Sequence, residues 1–194
     1  MFQKLVLASH NQGKIDELSQ MLAPYGVKIL SARDLKLPDV EETGETFAEN
    51  AALKAEAISE YTGMPCLADD SGLCVDALDG RPGVYSARYA ADNNARINKL
   101  IGELRESEKA DWSAHFSCVL ALKIPHQKTK FFEGRVDGKI IENRRGSEGF
   151  GYDPVFVPDG YERTFAEMSK EEKAKISHRG KALLQFIMEV FETA

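Results

Sequence analysis

Three groups of residues have the types and spacing for chemistry on a phosphorylated ligand. The first is Ser9-His10-Asn11-Gln12-Gly13-Lys14, between a strand-like apolar run and a helix-like stretch. Backbone N–H groups and the positive end of a helix dipole can hold phosphate there, and Lys14 adds a full charge. The Walker A spacing G-x-x-x-x-G-K-[ST] is missing, so an ordinary polar helix cap is the alternative. The second group is Glu41, Glu42, Asp69 and Asp70, with Glu45 and Asp76 nearby in sequence. Hard oxygen ligands that leave room for water and substrate phosphate suit Mg²⁺. Solvated surface acids are the bland reading, which fits Glu41 and Glu45 better. Asp69-Asp70 directly follow a buried-looking run, where an unpartnered carboxylate is costly, so at least one should meet a cation or a hydrogen-bond donor.

The third group is Phe150-Gly151-Tyr152-Asp153, with Lys173 and Ser177-His178-Arg179 downstream. An aromatic ring can cover a base, glycine lets backbone approach, and His, Lys and Arg can donate to ring oxygens or phosphates. Core packing of Phe150, solvation of Lys173 and a surface or capping place for His178 are the alternatives.

The elements that must position these groups follow from periodicity. Leu5 to Ala8 reads as a short buried strand, and after Ser9 to Lys14 a helix places Ile15, Leu18, Met21 and Leu22 on one face until Pro24 and Gly26 end it. Val27 to Leu30 then reads as a strand parallel to the first. Thr46 and Glu49 have capping-box spacing, predicting a helix from Phe47 to about Tyr61 with Asn50 and Lys54 on one face. Pro65 to Ala68 and Leu73 to Val75 read as strands interrupted by Asp69-Asp70-Ser71-Gly72, a break of local rules that points to a functional site. Asp92 to Glu106 has helical periodicity, and Trp112 to Ile124 alternates as a long strand. Phe131 to Val136 and Lys139 to Glu142 flank Asp137-Gly138, a hairpin signal that makes the middle of the sheet antiparallel. Gly146 to Tyr161 reads as loops around the short strand Val155 to Val157. Ser169 and Glu172 repeat the capping-box spacing ahead of a final helix with Leu183, Ile187, Val190 and Phe191 on its apolar face.

The chain has 194 residues, 43% hydrophobic and 29% charged, which suits one compact domain or two small lobes. With 25 Lys plus Arg against 31 Asp plus Glu, the net charge of −6 argues against a nucleic-acid partner. The start is too short in apolar residues for a signal peptide, and no stretch approaches the roughly 18 apolar residues of a membrane span, so a cytoplasmic protein is expected. Cys66, Cys74 and Cys118 have no C-x-x-C spacing and read as reduced buried thiols.

Taken in order, the blocks Ser9-x-Asn11-x-x-Lys14, Glu41-Glu42-Thr43-Gly44-x-Thr46-Phe47-x-Glu49-Asn50-Ala51, Ala68-Asp69-Asp70-Ser71-Gly72-Leu73, Pro82 to Tyr89, Gly149-Phe150-Gly151-Tyr152-Asp153-Pro154 and Ile176-Ser177-His178-Arg179-Gly180 closely resemble the inosine triphosphate pyrophosphatase family. The resemblance implies an α/β fold: a long twisted mixed sheet flanked by helices, with residues 1–194 forming a single domain of two lobes and a nucleotide cleft between them. It implies hydrolysis of XTP, ITP and dITP at the α–β phosphoanhydride with Mg²⁺, and a homodimer.

By the same resemblance, Ser9, Asn11 and Lys14 belong to the triphosphate-binding loop, with His10, Gln12 and Gly13 between them and Lys54 as a second basic residue. Glu42 and Asp70 match the metal-binding acids. Asp70 also matches the proton acceptor for the attacking water, with Asp69 the alternative base and Ser71 beside it on the substrate. Phe150, Gly151, Tyr152, Asp153, Lys173, His178 and Arg179 match the base-recognition set. Donors at His178 and Arg179 would favour a 6-oxo purine over adenine. Glu148 stands where the family has a small residue, and is expected to point to solvent. The competing readings are a related septum-associated nucleotide pyrophosphatase and a non-catalytic nucleotide sensor.

Overall fold

The computed structural model describes residues 3–192. β1 (Lys4–Leu7) leads into α1 (Gln12–Leu22), which buries Ile15, Leu18 and Leu22. The helix starts at Gln12, earlier than expected, because the Asn11 side chain accepts from Lys14 N and caps the first turn. Gly26, left-handed with φ of 67°, closes the turn that follows. β2 (Lys28–Ser31) lies parallel to β1, with Leu5 opposite Ile29. α2 (Phe47–Thr62) begins from the expected capping box of Thr46 and Glu49.

β3 (Cys66–Val75) is one continuous strand, parallel to β1 with Val6 opposite Cys66. The expected interruption at residues 69–72 is absent: the strand carries Asp69 and Asp70 at 2% and 5% exposure. A strand is defined by its backbone bonds, and side-chain polarity does not end it when cations answer the charge. α3 (Asn93–Glu106), capped by Asp92, precedes β4 (Ser113–Lys123).

β5 (Lys130–Ile140) also runs unbroken, through the Asp137-Gly138 pair that was expected to turn a hairpin. Its antiparallel partner is β6 (Phe156–Pro158), with Gly138 opposite Pro158. Gly138 serves close approach, since a Cβ there would meet the Val157 carbonyl oxygen, the Phe156 ring and Pro158 Cα. Gly138→Ala is therefore expected to destabilise the fold by about 1–3 kcal/mol, because backbone must move to admit the methyl group. A melting temperature equal to wild type would refute that account.

α4 (Lys170–Ile176) and α5 (His178–Ile187) replace the single expected final helix. Extended Ser177 separates them, and its hydroxyl accepts from Gly180 N at 3.1 Å to start α5. Among the described residues the strands form a mixed sheet in the order β2-β1-β3-β4-β5-β6. No helix among them is long and apolar enough to cross a membrane.

The chain divides into two compact units. The first takes residues up to Asp70, Cys118–Gly134 and Lys181 onward; the second takes Ser71–Ser117 and Arg135–Gly180. In the first, α1 and α5 cover one sheet face through Ile15, Leu18, Leu22, Leu183 and Phe186, packed with Leu5, Leu7, Leu67 and Leu120. α2 covers the other face through Ala51, Ala55 and Ile58, packed with Val6, Cys66, Ala68 and Val119. Strands buried on both faces read as unbroken apolar runs. The second unit gathers Leu73, Val75, Ala114, Phe116 and Val136 with Ile97, Leu100 and Leu104 of α3. That is why β4 alternates over its first residues and turns wholly apolar from Cys118 to Leu122.

Candidate functional site

Adjacent residues on a strand point to opposite faces. Asp69 therefore shares the Leu67 side of β3, beneath α1, and Asp70 shares the Cys66 and Ala68 side, beneath α2. Each acid meets a lysine from the helix that covers it. Lys14 Nζ pairs with Asp69 Oδ1. Lys54 Nζ donates to Glu42 Oε1 at 2.6 Å and to the Asp69 carbonyl oxygen at 2.8 Å, and lies 3.4 Å from Asp70 Oδ1. The expected partners for the buried acids are thus the two lysines singled out for phosphate.

Burial pushes the Asp70 carboxyl above its ordinary value, against the pull of Lys54 and then Lys14. For Lys54, burial works to lower the value, but Asp70 and then Glu42 outweigh it and hold the ammonium above the ordinary range. Asp70 Oδ2 is buried and has no hydrogen-bond partner among protein atoms. Among the described residues no group of three or more His, Cys, Asp or Glu side chains could hold a metal ion. Glu42 and Asp70 nevertheless converge on one ammonium, and Mg²⁺ takes one or two carboxylates when water and substrate phosphates complete its shell. The pair and the orphaned oxygen fit that ion.

The cap residues around this cluster are held by local bonds. Ser9 Oγ accepts from Asn11 N at 3.2 Å. The His10 ring nitrogens lie 2.9 Å from the Leu37 carbonyl oxygen and 2.7 Å from Asp39 Oδ1. Gln12 bonds Asp16 and Arg33, each at 2.7 Å, and Gly13 sits in the first turn of α1. Cys118 Sγ donates to Asp69 Oδ2 at 3.3 Å, a contact that spacing did not foretell. The cysteines are free thiols, and burial pushes Cys66 up to about 12, which leaves it unreactive.

In the second unit, Asp153 is buried and its Oδ2 accepts from Phe150 N at 2.9 Å and Lys173 Nζ at 2.7 Å. A Cβ on Gly149 would strike that same oxygen. Lys173 Nζ and Arg179 Cζ lie 4.9 and 5.6 Å from the Phe150 ring centroid. Arg179 also donates to Ser71 Oγ at 3.1 Å, and His178 stacks on Phe116 at 4.7 Å. Lys173 and His178, surface residues on composition alone, are 5% and 4% exposed. Gly151 is left-handed at φ of 63°. The Tyr152 hydroxyl donates to the Ser86 carbonyl oxygen at 2.9 Å, so it pins a loop. Ser86, given no role from sequence, accepts from Leu73 N at 2.9 Å and donates to Gly83 O at 2.6 Å. Arg88 is exposed, 5.5 Å from the Tyr85 ring, and Glu148 is exposed as expected.

The first unit thus sets two lysines against buried strand acids, and the second, described by itself, packs two cations on an aromatic ring; the protein is of the α/β class. The chain belongs to the Ham1 family, whose model matches residues 5–189. It is 51% identical over 185 residues to a protein of Bacillus licheniformis called dITP/XTP pyrophosphatase, covering 93% of this chain and 94% of that one. A protein of Gluconobacter oxydans with the same name is 47% identical, covering 98% and 92%. The solved structure of a HAM1 protein from Coxiella burnetii superposes with a TM-score of 0.90 at 41% identity, covering 98% of this chain and all of that one.

Proposed function

We propose that the protein hydrolyses the non-canonical purine nucleotides XTP, ITP and dITP to the nucleoside monophosphate and pyrophosphate, clearing them from the cytoplasmic pool. The carrying observation is Asp70: a buried carboxylate, raised above its ordinary value, with one oxygen on Lys54 and the other without a protein partner. The dITP/XTP pyrophosphatase names of relatives at about half identity support the substrate class.

In this reading Lys14 and Lys54 exchange their carboxylate partners for phosphate oxygens, and the Asn11-capped turn of α1 presents N–H groups to the same anion. Glu42 and Asp70 would hold Mg²⁺, which when bound neutralises phosphate charge. Asp70, with Asp69 as the alternative base, orients the attacking water and takes its proton. The Pα–O–Pβ bridge opens, and pyrophosphate leaves with the bridging oxygen. Phe150, Lys173, His178 and Arg179 recognise the base, and donors among them are satisfied by a 6-oxo group and left unpaired by adenine. The two units are read as lobes of one domain, and the protein as a homodimer; light scattering at the mass of one chain, 21.5 kDa, would overturn the latter.

Product analysis with Mg²⁺ across ITP, dITP, XTP, ATP and GTP tests the reaction. Pyrophosphate from the first three, with ATP and GTP nearly inert, is expected. Orthophosphate would move cleavage to a terminal phosphate, and tight ITP binding without turnover would make the protein a sensor.

A further inference from the structure

Glu42 lies on a loop that polar contacts tie to the first turn of α2. Glu49 Oε2 accepts from Glu45 N at 2.7 Å and from Thr46 N at 3.2 Å. One residue further along the helix, Asn50 Oδ1 accepts from Gly44 N at 2.8 Å. Asn50 is fully buried, and its Nδ2 has no partner among protein atoms. The Gly44 N–H can only donate, which fixes the amide with Oδ1 toward the loop. Holding a buried amide in that orientation leaves its other donor unsatisfied, so the contact with Gly44 is the feature that accounts for an asparagine here. A Cβ on Gly44 would come within 2.6 Å of Glu49 Cβ and 2.8 Å of Asn50 Oδ1, so only glycine lets the loop lie this close.

Asn50 and Lys54 are one helical turn apart on the same face of α2. That stretch of helix therefore holds the loop at two points, Gly44 through Asn50 and Glu42 through Lys54, whose ammonium also faces Asp70. When a polyanion draws Lys54 away from Glu42, the Asn50–Gly44 bond is, of the remaining contacts to α2 named above, the one nearest to Glu42 in sequence. We propose that Asn50 is a positioning residue, which through Gly44 holds Glu42 in register with Asp70 and thereby sets the divalent-cation affinity of the two acids. This rests on the reading of Glu42 and Asp70 as the Mg²⁺ pair.

The test compares wild type with Asn50→Ala, Asn50→Asp and Gly44→Ala. Asn50→Asp keeps the acceptor for Gly44 N, and Gly44→Ala breaks the contact from the loop side, so a failure of Asn50→Ala to fold leaves the test intact. Amide hydrogen exchange of the metal-free protein reads the clamp without catalysis: Gly44 N–H should be protected in wild type and Asn50→Asp, and exchange faster in the other two. The Mg²⁺ midpoint for pyrophosphate release from ITP should rise about 10- to 100-fold in Asn50→Ala and Gly44→Ala, with kcat regained at saturating Mg²⁺. Asn50→Asp should stay within about threefold of wild type, the rescue that a defect of packing alone would not give. A lower kcat at an unchanged midpoint, or an unchanged midpoint with Gly44 deprotected, overturns the proposal. A wild-type protein that releases no pyrophosphate sinks the enzymatic reading instead, and direct Mn²⁺ titration of the same four proteins then decides whether Asn50 governs the cation.

Discussion

Asp70→Asn is expected to lower pyrophosphate release by at least about 10²- to 10⁴-fold, the range a positioned general base contributes, while the protein stays folded. The substitution keeps the shape and an acceptor oxygen but removes the proton acceptor and one of the two acids proposed for Mg²⁺. Stability should move the other way. A carboxyl whose folded-state pKa is raised binds its proton more tightly in the native state, so its contribution is present at low pH and is lost as pH rises through the raised value. At neutral pH the ionised Asp70 thus weighs against folding, and Asn relieves it. In metal-free buffer the variant should melt at or above the wild-type temperature. The difference should shrink as the buffer is acidified. Near wild-type turnover would remove Asp70 from the role, and a large fall in melting temperature would mean that its pairing with Lys54 outweighs its burial.

The same shift can be read directly. In metal-free protein Asp70 should take up its proton above the ordinary carboxylate value of 3.8 because burial raises it, which NMR titration of its carboxyl carbon checks, and Mg²⁺ bound by Glu42 and Asp70 would pull that value back down. Lys54 should not limit activity on the alkaline side near neutrality, since its acids hold it protonated beyond its usual range.

Part of the scaffold that carries the candidate site is legible in the sequence, because local rules set it. Capping-box spacing located the start of α2 and hence the face shared by Asn50 and Lys54. The cost of burying a carboxylate called for a cation or a hydrogen-bond donor at Asp69 or Asp70, and each has a lysine. What failed did so where distant partners override local preference. Asp69 and Asp70 resemble a loop because the lysines that neutralise them lie 55 and 16 residues away. Asp137-Gly138 resembles a turn because nothing in its own neighbourhood announces that β6 will press on Gly138. Lys173 resembles a solvated lysine until Asp153 and the Phe150 ring close on it. Ser177 sits inside a continuous helical pattern, and its capping bond to Gly180 makes it a boundary. The Cys118 contact with Asp69 depends on β4 pairing beside β3 in a register that sets the two side chains together on one face of the sheet, which periodicity leaves undetermined.

Lys54→Met should strongly destabilise the fold of the first unit. The lysine side chain is 12% exposed and its ammonium stands between Glu42 and Asp70, which are 20% and 7% exposed. Methionine preserves much of the length and packing, so the loss is chiefly electrostatic: two carboxylates face each other with their shared cation gone, and the Asp69 carbonyl loses a donor. Removing one member of a buried ion pair typically costs about 3–5 kcal/mol, which at ~2–4 °C per kcal/mol places the melting temperature roughly 10 °C or more below wild type. Two features separate this account from a packing defect. The deficit should diminish toward about pH 4, where carboxylates take up protons and no longer repel. Mg²⁺ should also raise the melting temperature of Lys54→Met more than that of wild type, because the ion binds the native acid pair without competing with an ammonium. A variant that melts within 2 °C of wild type by calorimetry at about pH 8, well above the ordinary carboxylate range, would show that the acids are held by contacts other than Lys54. A deficit indifferent to both pH and Mg²⁺ would assign the loss to the packing of α2.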